Sequence, residues 1–280
     1  MITLAEMECR LRETRDLSVL DETHLHRAWR EDALGRVRGR DRLREAVLAS
    51  LADEQAGAPT IEARGAEMIA FTTMGGWRGH RWVEREGDRI LGETEILDGA
   101  ARSAALGLDL NDAARAKAAN CPMHGPLGEL RAGLGQLATS ERPALPSGFA
   151  TTAVEAATAL HRIWNGRAIN QVPREWRGPR EAGEDGAAFV IALLTALPDA
   201  VWLPVRGSIL DDGRVAVLWR LHGHHLGPGF GGPSTRRVRL IGSSVLSMAE
   251  GNIAAEDMLV DTLAMRATAH RPLIDYGPAM

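Results

Sequence analysis

The chain is poor in lysine, tyrosine and cysteine. Among its 280 residues Lys117 is the single lysine, Tyr276 the single tyrosine, and Cys9 and Cys121 the only cysteines. Two distant thiols, with no apolar leader in MITLAEMECRLRETRD, read as reduced residues of a cytoplasmic protein. No run of 18 or more apolar residues is present, so no membrane span is expected. A net charge of −4 argues against a nucleic-acid partner. Arginines alternate at Arg36, Arg38, Arg40, Arg42 and Arg44. Glu31, Asp32, Asp41 and Glu45 lie among them, and no aromatic residue is there to stack a base, so a turn and a solvated helix start are expected. There is no Walker motif and no G-x-S-x-G elbow. GLGQLA at 133–138 imitates a dinucleotide fingerprint but follows no strand. No metal and no organic cofactor is expected.

What is present is an ordinary globular balance, 45% hydrophobic and 25% charged, in a chain long enough to bury its own core. It is also a repeat. EGDRILGETEILD from Glu86 to Asp98 returns as EGNIAAEDMLVD from Glu250 to Asp261. Upstream, AWREDALGRVRGRDRLREAVLASLAD (Ala28–Asp53) is matched by EWRGPREAGEDGAAFVIALLTALPD (Glu175–Asp199), aligned on Trp29 and Trp176 with Gly39 and Gly186 ten positions on. Three segments follow: a first domain over 1–110, a linker with a helix over 111–149 and a second domain over 150–280. In the second copy the apolar spacing predicts helices over 151–167 and 184–197, then strands over 200–208, 215–221, 238–248 and 253–263, with a hairpin at Asp211-Asp212-Gly213. In the first it predicts a helix over 4–30, with a break near Leu17 as an alternative, and a helix over 41–53, then strands over 60–72, 76–86 and 89–98. Helices followed by antiparallel strands make an α+β fold.

ATALHRIWNGR, ALPDAVW and the run from Asp211 through GPGFGGPSTRRVRL to Asp261 resemble the SnoaL-like polyketide cyclase group of the NTF2-like superfamily. The resemblance covers about 120 residues and is much weaker in the first copy, which reads as degenerate. It implies two NTF2-like cone-shaped α+β barrels, each with helices packed on a curved antiparallel sheet around an apolar pocket. It also implies that the fused pair forms an intramolecular pseudo-dimer, the two sheets face to face, with a homodimer as a further option. This superfold hosts cyclases, isomerases and pure binding modules, so function rests on the site.

The catalytic candidates are Asp257 and Asp261, four apart on the last strand, with His225 at the family histidine. A carboxylate in an apolar cone has its pKa raised and can take a proton from an activated carbon. The expected ligand is a small apolar carbonyl or polyketide-like compound, shaped by Trp164, Trp176, Trp219, Arg220 and Ser243, with His80 as the only histidine kept at the family's second position, in the first copy. The competing reading of Asp257 is a rim carboxylate paired with an arginine, and the competing function is a non-catalytic binding or interaction module. The cluster His222, His224 and His225 has no carboxylate partner nearby in sequence, which argues against zinc. His24 and His26, placed on a helix, would face different ways.

Overall fold

The computed structural model describes residues 2–32, 35–52, 54–119, 140, 142–147 and 149–270. Cys121, the 133–138 segment and Tyr276 lie outside the described residues. The first half runs α1 (Leu4–Glu13), α2 (Val19–Thr23), β1 (His24–Asp32), β2 (Gly35–Arg38), α3 (Arg40–Leu51), β3 (Thr60–Arg64), β4 (Met68–Thr72), β5 (Arg78–Glu86) and β6 (Arg89–Leu97). Helices α4 (Gly99–Ala105) and α5 (Leu110–Ala119) lead out of it. The second half runs α6 (Val154–Trp164), β7 (Glu175–Arg177), α7 (Gly186–Ala196), β8 (Val201–Ile209), β9 (Val215–His224), β10 (Arg237–Ala249), β11 (Asn252–Val260) and α8 (Thr262–His270).

The class is mixed α+β, with helices and two sheets. Their strand orders are β2-β1-β6-β5-β4-β3 and β7-β11-β10-β9-β8. In each sheet an early strand runs parallel to the last one, β1 with β6 and β7 with β11, and the remaining strands form an antiparallel meander. The registers coincide as well. Gly79 faces Leu97, and Gly242 faces Val260, 163 positions later in both cases (242 − 79 and 260 − 97). A bulge falls between Glu84 and Arg85 in one sheet and between Ser247 and Met248 in the other, again 163 apart. The β3 bulge at Glu62 corresponds to the β8 bulge at Val205.

Two expectations need correction. The helix over 4–30 ends at Glu13, and HLHRAWRED is strand β1. That segment is short of apolar helix-face residues, and pairing with β6 supplies its backbone partners, so tertiary context overrides local preference. His24 and His26 therefore do not sit on a helix: His24 is buried against Glu93, and His26 is exposed. The last strand stops at Val260, and Thr262 starts a helix.

The alignment on Trp29 and Trp176 is off by one. Trp29 lies opposite Gly92, whereas Trp176 lies opposite Glu256, the counterpart of Glu93 (256 − 93 = 163). A slip of one residue on a strand reverses the face. Trp176 accordingly packs on the interior cluster of the second half, and Trp29 points out of its sheet toward Leu218 and Arg220.

Each half has its own core, and a third cluster joins them. Met68, Ala70, Trp82 and Ile96 of the first sheet pack on Ala216, Leu218, Ile241, Val245 and Leu259 of the second. Trp82 Nε1 donates to Ser243 Oγ across this contact at 2.9 Å. A strand covered on both faces turns apolar residues to each side, as β9 does with Val217, Trp219 and Leu221 on one face and Ala216 and Leu218 on the other.

Candidate functional site

Alternation along the strands of the second half turns Val217, Trp219 and Leu221 of β9, Leu240 and Leu246 of β10, and Met258 and Val260 of β11 toward the helices. Trp164 of α6 meets Trp219 there, ring centroids 5.6 Å apart. Trp176 lies tilted on Phe189 at 5.8 Å, and Phe189 meets Phe230 edge-on at 6.3 Å. The Trp219 ring lies over Gly242, where a Cβ would come within 2.1 Å of it. The first half repeats the arrangement with Phe71 over Gly79, at 2.3 Å.

Into this apolar shell β11 turns a carboxyl, Glu256, that the sequence reading missed. Ser244 Oγ donates to Glu256 Oε1 at 2.6 Å, and Trp219 Nε1 donates to Ser244 Oγ at 3.0 Å. An indole can only donate, so the direction of the chain is fixed: Ser244 accepts from Trp219 and spends its own proton on Glu256. Burial pushes the Glu256 carboxyl up to about 7; the serine bond opposes this weakly, and neighbouring Asp257 adds to it. A buried carboxyl poised near neutrality can exchange a proton with a bound molecule.

The structure separates the residues that the sequence put in one pocket. Trp164, Trp176 and Trp219 do meet in the interior of the second half. Asp257, on the opposite face from Glu256, ion-pairs with Arg78 of the first half and with Arg177 at 3.3 Å. Burial outweighs these arginines and raises its pKa. Its place between the sheets corrects the expectation of a base inside the cone. Asp257→Asn should therefore cost stability, about 1–3 kcal/mol by chemical denaturation, because Arg78 is left buried with a weaker partner. Asp261 lies beyond the strand: its Oδ1 accepts from Ala264 N at 3.2 Å and its Oδ2 pairs with Lys117 at 2.7 Å. Asp98 makes the same helix-starting bond to Ala101 N at 2.9 Å, so the repeated aspartate is a cap.

His225 has both ring nitrogens taken up by its own loop, Nε2 by Gly229 O at 3.0 Å and Nδ1 by Ser234 Oγ at 3.3 Å. It clamps the loop rather than reaching the carboxyl. Arg220 points out of the cone to Glu31 of the first half at 2.9 Å, and Ser243 receives the Trp82 indole. His80 is buried on β5, and burial together with Arg78, Arg177 and Arg214 lowers its pKa to about 3. Its folded value lies below its unfolded one, so this stability is present above about pH 6.5 and is lost as pH falls toward 3. Read as the difference between the two proteins, in which groups common to both cancel, the wild type should lose more stability than His80→Asn between pH 7 and pH 5. His224 pairs with Asp199 at 2.6 Å, and among the described residues no cluster of His, Cys, Asp and Glu could hold a metal ion.

The signal for Glu256 was parity. It shares its face with Met258 and Val260, whereas Asp257 shares one with Leu259. Both faces of β11 are apolar because both are covered, so the sequence alone could not tell which was the cone.

The first interior is of another kind. Arg81 meets Glu8, Glu93 and Glu95 at 2.8, 3.0 and 2.6 Å, Arg12 joins Glu8, Glu54 and Glu95, and Arg30 joins Glu93 and Glu95. His24 touches Glu93 at 3.3 Å. Arg81 stands at the place of Ser244 and Glu93 at that of Glu256 (244 − 81 and 256 − 93 both equal 163). Ion pairs fill the space that is apolar in the second half.

Residues 152–268 match the family model of the SnoaL-like polyketide cyclases. No curated protein matches the chain. Among solved structures, a protein described as a SnoaL-like polyketide cyclase from Jannaschia sp. CCS1 is 18% identical and aligns over 46% of this chain and 99% of its own, with a TM-score of 0.34. One described as a polyketide cyclase from Acidithiobacillus ferrooxidans is 18% identical over 43% and 94%, TM-score 0.35. TerC, co-crystallised with polyporic acid, is 19% identical over 42% and 98%, TM-score 0.32. No helix among the described residues is long and apolar enough to cross a membrane.

Proposed function

We propose that the second half binds a small, largely apolar carbonyl or polyketide-like metabolite and moves a proton on it, with Glu256 as the acid–base group. The single observation that carries this is the Glu256 carboxyl, buried among tryptophans, held by one serine and poised near neutral pH. The SnoaL-like match of residues 152–268 supports the same class of chemistry. In such a step the ionised carboxylate takes a proton from the carbon next to a carbonyl. The C–H electron pair becomes an enolate, and the carboxyl returns its proton to another carbon or to the enolate oxygen. The balance is neutral, and no oxidant or cofactor enters.

We further infer that the chain is a duplicated and fused pair acting as its own dimer. The matching strand orders, bulges and glycine–aromatic contacts support this. The first copy, its interior filled with ion pairs, is the degenerate one. A non-catalytic binding module is the second reading, favoured by three fully buried indoles, Trp164, Trp202 and Trp219, in the same interior.

The test is hydrogen–deuterium exchange at the α-carbon of 1-tetralone in deuterated water, with the wild type and Glu256→Gln. Exchange above the buffer rate in the wild type and none in the variant is expected. Infrared spectra should also show a protonated carboxyl that disappears near pH 7 and is absent from the variant. A carboxyl titrating near 4.5 would sink the acid–base reading, and bound 1-tetralone without exchange would leave the binding module.

A further inference from the structure

We propose that the indole N–H of Trp176 is the hydrogen-bond donor for the carbonyl oxygen of the molecule held in the second interior, and so for the negative charge that builds on that oxygen. This deepens the acid–base reading of the same interior and rests on it. Strand β7 runs beside β11, and Trp176 is paired with Glu256 across that parallel ladder. Neighbouring strands lie about 4.8 Å apart and paired side chains leave the same face, so the indole and the carboxyl start side by side. Trp176 packs on the interior cluster of the second half.

Both groups have bonding capacity to spare, of opposite kinds. The Trp176 Nε1–H is buried and meets no acceptor among the described residues. An indole nitrogen can only donate, and a buried donor left unpaired is costly, so it needs a physical account. Ser244 donates to one oxygen of Glu256, Oε1, and a carboxylate carries a second. A ketone about to lose an α-proton presents the complement: a C–H for a base and, one bond further on, an oxygen for a donor. The indole is also held in place. A Cβ on Gly178, just after β7, would come within 1.8 Å of Trp176 Cη2, and one on Gly186, the first residue of α7, within 2.6 Å of its Cγ. Both positions are bare where the ring lies, and Phe189 backs it at 5.8 Å. A donor fixed before the charge forms needs no reorganisation when it does.

The repeat supplies a comparison within the chain. Arg30 stands where Trp176 stands, paired with Glu93 as Trp176 is with Glu256. Arg30 Nη1 meets Glu93 Oε1 at 2.6 Å, so a side chain from this position of the early strand reaches the carboxyl on the last strand. Against the cost of burial, Arg81 and Arg30 hold Glu93 well below the usual carboxylate range. A tryptophan at that place is neutral. It supplies a donor without fixing its neighbour as an anion. In the step itself Glu256 takes the α-proton, the C–H pair forms the carbon–carbon double bond, and the carbonyl π pair moves onto oxygen. Trp176 donates to that oxygen and keeps its own proton throughout. When the carboxyl returns the proton to carbon, the electron pairs move back and the charge is gone.

The test uses the full chain with 1-tetralone labelled at its carbonyl carbon. The wild type is compared with Trp176→Phe and with a protein in which Trp176 is replaced by 3-benzothienylalanine, which keeps the ring shape and puts sulfur in place of the N–H. Circular dichroism establishes that each is folded, and should Trp176→Phe not fold, the benzothienyl protein decides. Infrared spectra should show the carbonyl stretch of the bound ketone at lower frequency in the wild type than in either replacement. Exchange at the α-carbon should fall by about 10²–10³-fold in kcat with KM little changed, the signature of a bond that strengthens in the transition state. The benzothienyl protein should melt no lower than the wild type, because the N–H it lacks has no partner in the free protein. A carbonyl frequency equal in the wild type and the benzothienyl protein overturns the proposal. So does exchange that Glu256→Gln abolishes and both replacements leave intact, and the Glu256 reading then stands alone. A frequency shift that depends on Trp176, without exchange in the wild type, sustains the donor and removes the acid–base reading. Absence of binding at millimolar 1-tetralone overturns both.

Discussion

Replacing Arg81 with methionine should destabilise the protein by about 3–5 kcal/mol, a large share of the about 5–15 kcal/mol that holds an ordinary domain folded. Arg81 is buried, and its guanidinium touches Glu8, Glu93 and Glu95. Burial alone would lower its pKa, but these carboxylates reverse that and raise it. They are in turn held in ionised form: Glu93 and Glu95 are pulled down by Arg81 and Arg30 against the cost of burial. Methionine fills the volume and removes the charge, leaving carboxylates with too few cations in a space closed to water. Arg81→Lys should fall between, because a point charge cannot serve three carboxylates as a planar fork does. Urea denaturation followed by circular dichroism measures the loss. A change below about 1 kcal/mol would mean that water enters this interior and that it is not the closed ionic core described.

The same comparison sets the two interiors apart chemically. Where Ser244 and Glu256 form a neutral hydroxyl–carboxyl chain, Arg81 and Glu93 form a charged one. The first carboxyl is fixed as an anion and has no proton to trade near neutral pH, whereas the second has its pKa set by burial. One position of the repeat, arginine or serine, decides between a structural ion pair and a titrating group.

Much of this was legible in the sequence. The strands of the second half were readable because β9 alternates Val215, Val217, Trp219 and Leu221 beside a turn at Asp211–Gly213, both local signals. The repeated Glu-Gly turn and the final aspartate marked the internal repeat of the sequence. What failed was decided by packing. β1 lacks a strand signature and exists because β6 offers it an edge. The two tryptophans looked equivalent by spacing, but one residue of register places them on opposite faces. Asp257 and Glu256 are adjacent acids on a strand covered on both sides, so the apolar pattern that normally marks the inner face marks neither.

Glu256→Gln should change both chemistry and stability, in opposite directions. Glutamine keeps the acceptor that Ser244 Oγ needs but cannot hold the proton, so exchange on a carbon acid should fall by about 10²–10⁴-fold. The stability effect follows from the raised pKa. The carboxyl titrates near 4.5 in the unfolded chain and near 7 in the folded one. Between these values the folded state binds more protons, so stability falls as pH rises, and the penalty is complete above about pH 7. Two to three pH units correspond to about 3 kcal/mol. Glutamine removes that slope. Relative to wild type, the variant should therefore gain about 3 kcal/mol between pH 5 and pH 8, as read from urea midpoints at the two pH values. His80 titrates with the opposite sign and is unchanged in the variant, so it cancels in this difference. A variant that is less active but shows no change in slope would mean that Glu256 is already ionised at pH 5. It would then act by holding Ser244 in place, and proton transfer would have to be sought at another group.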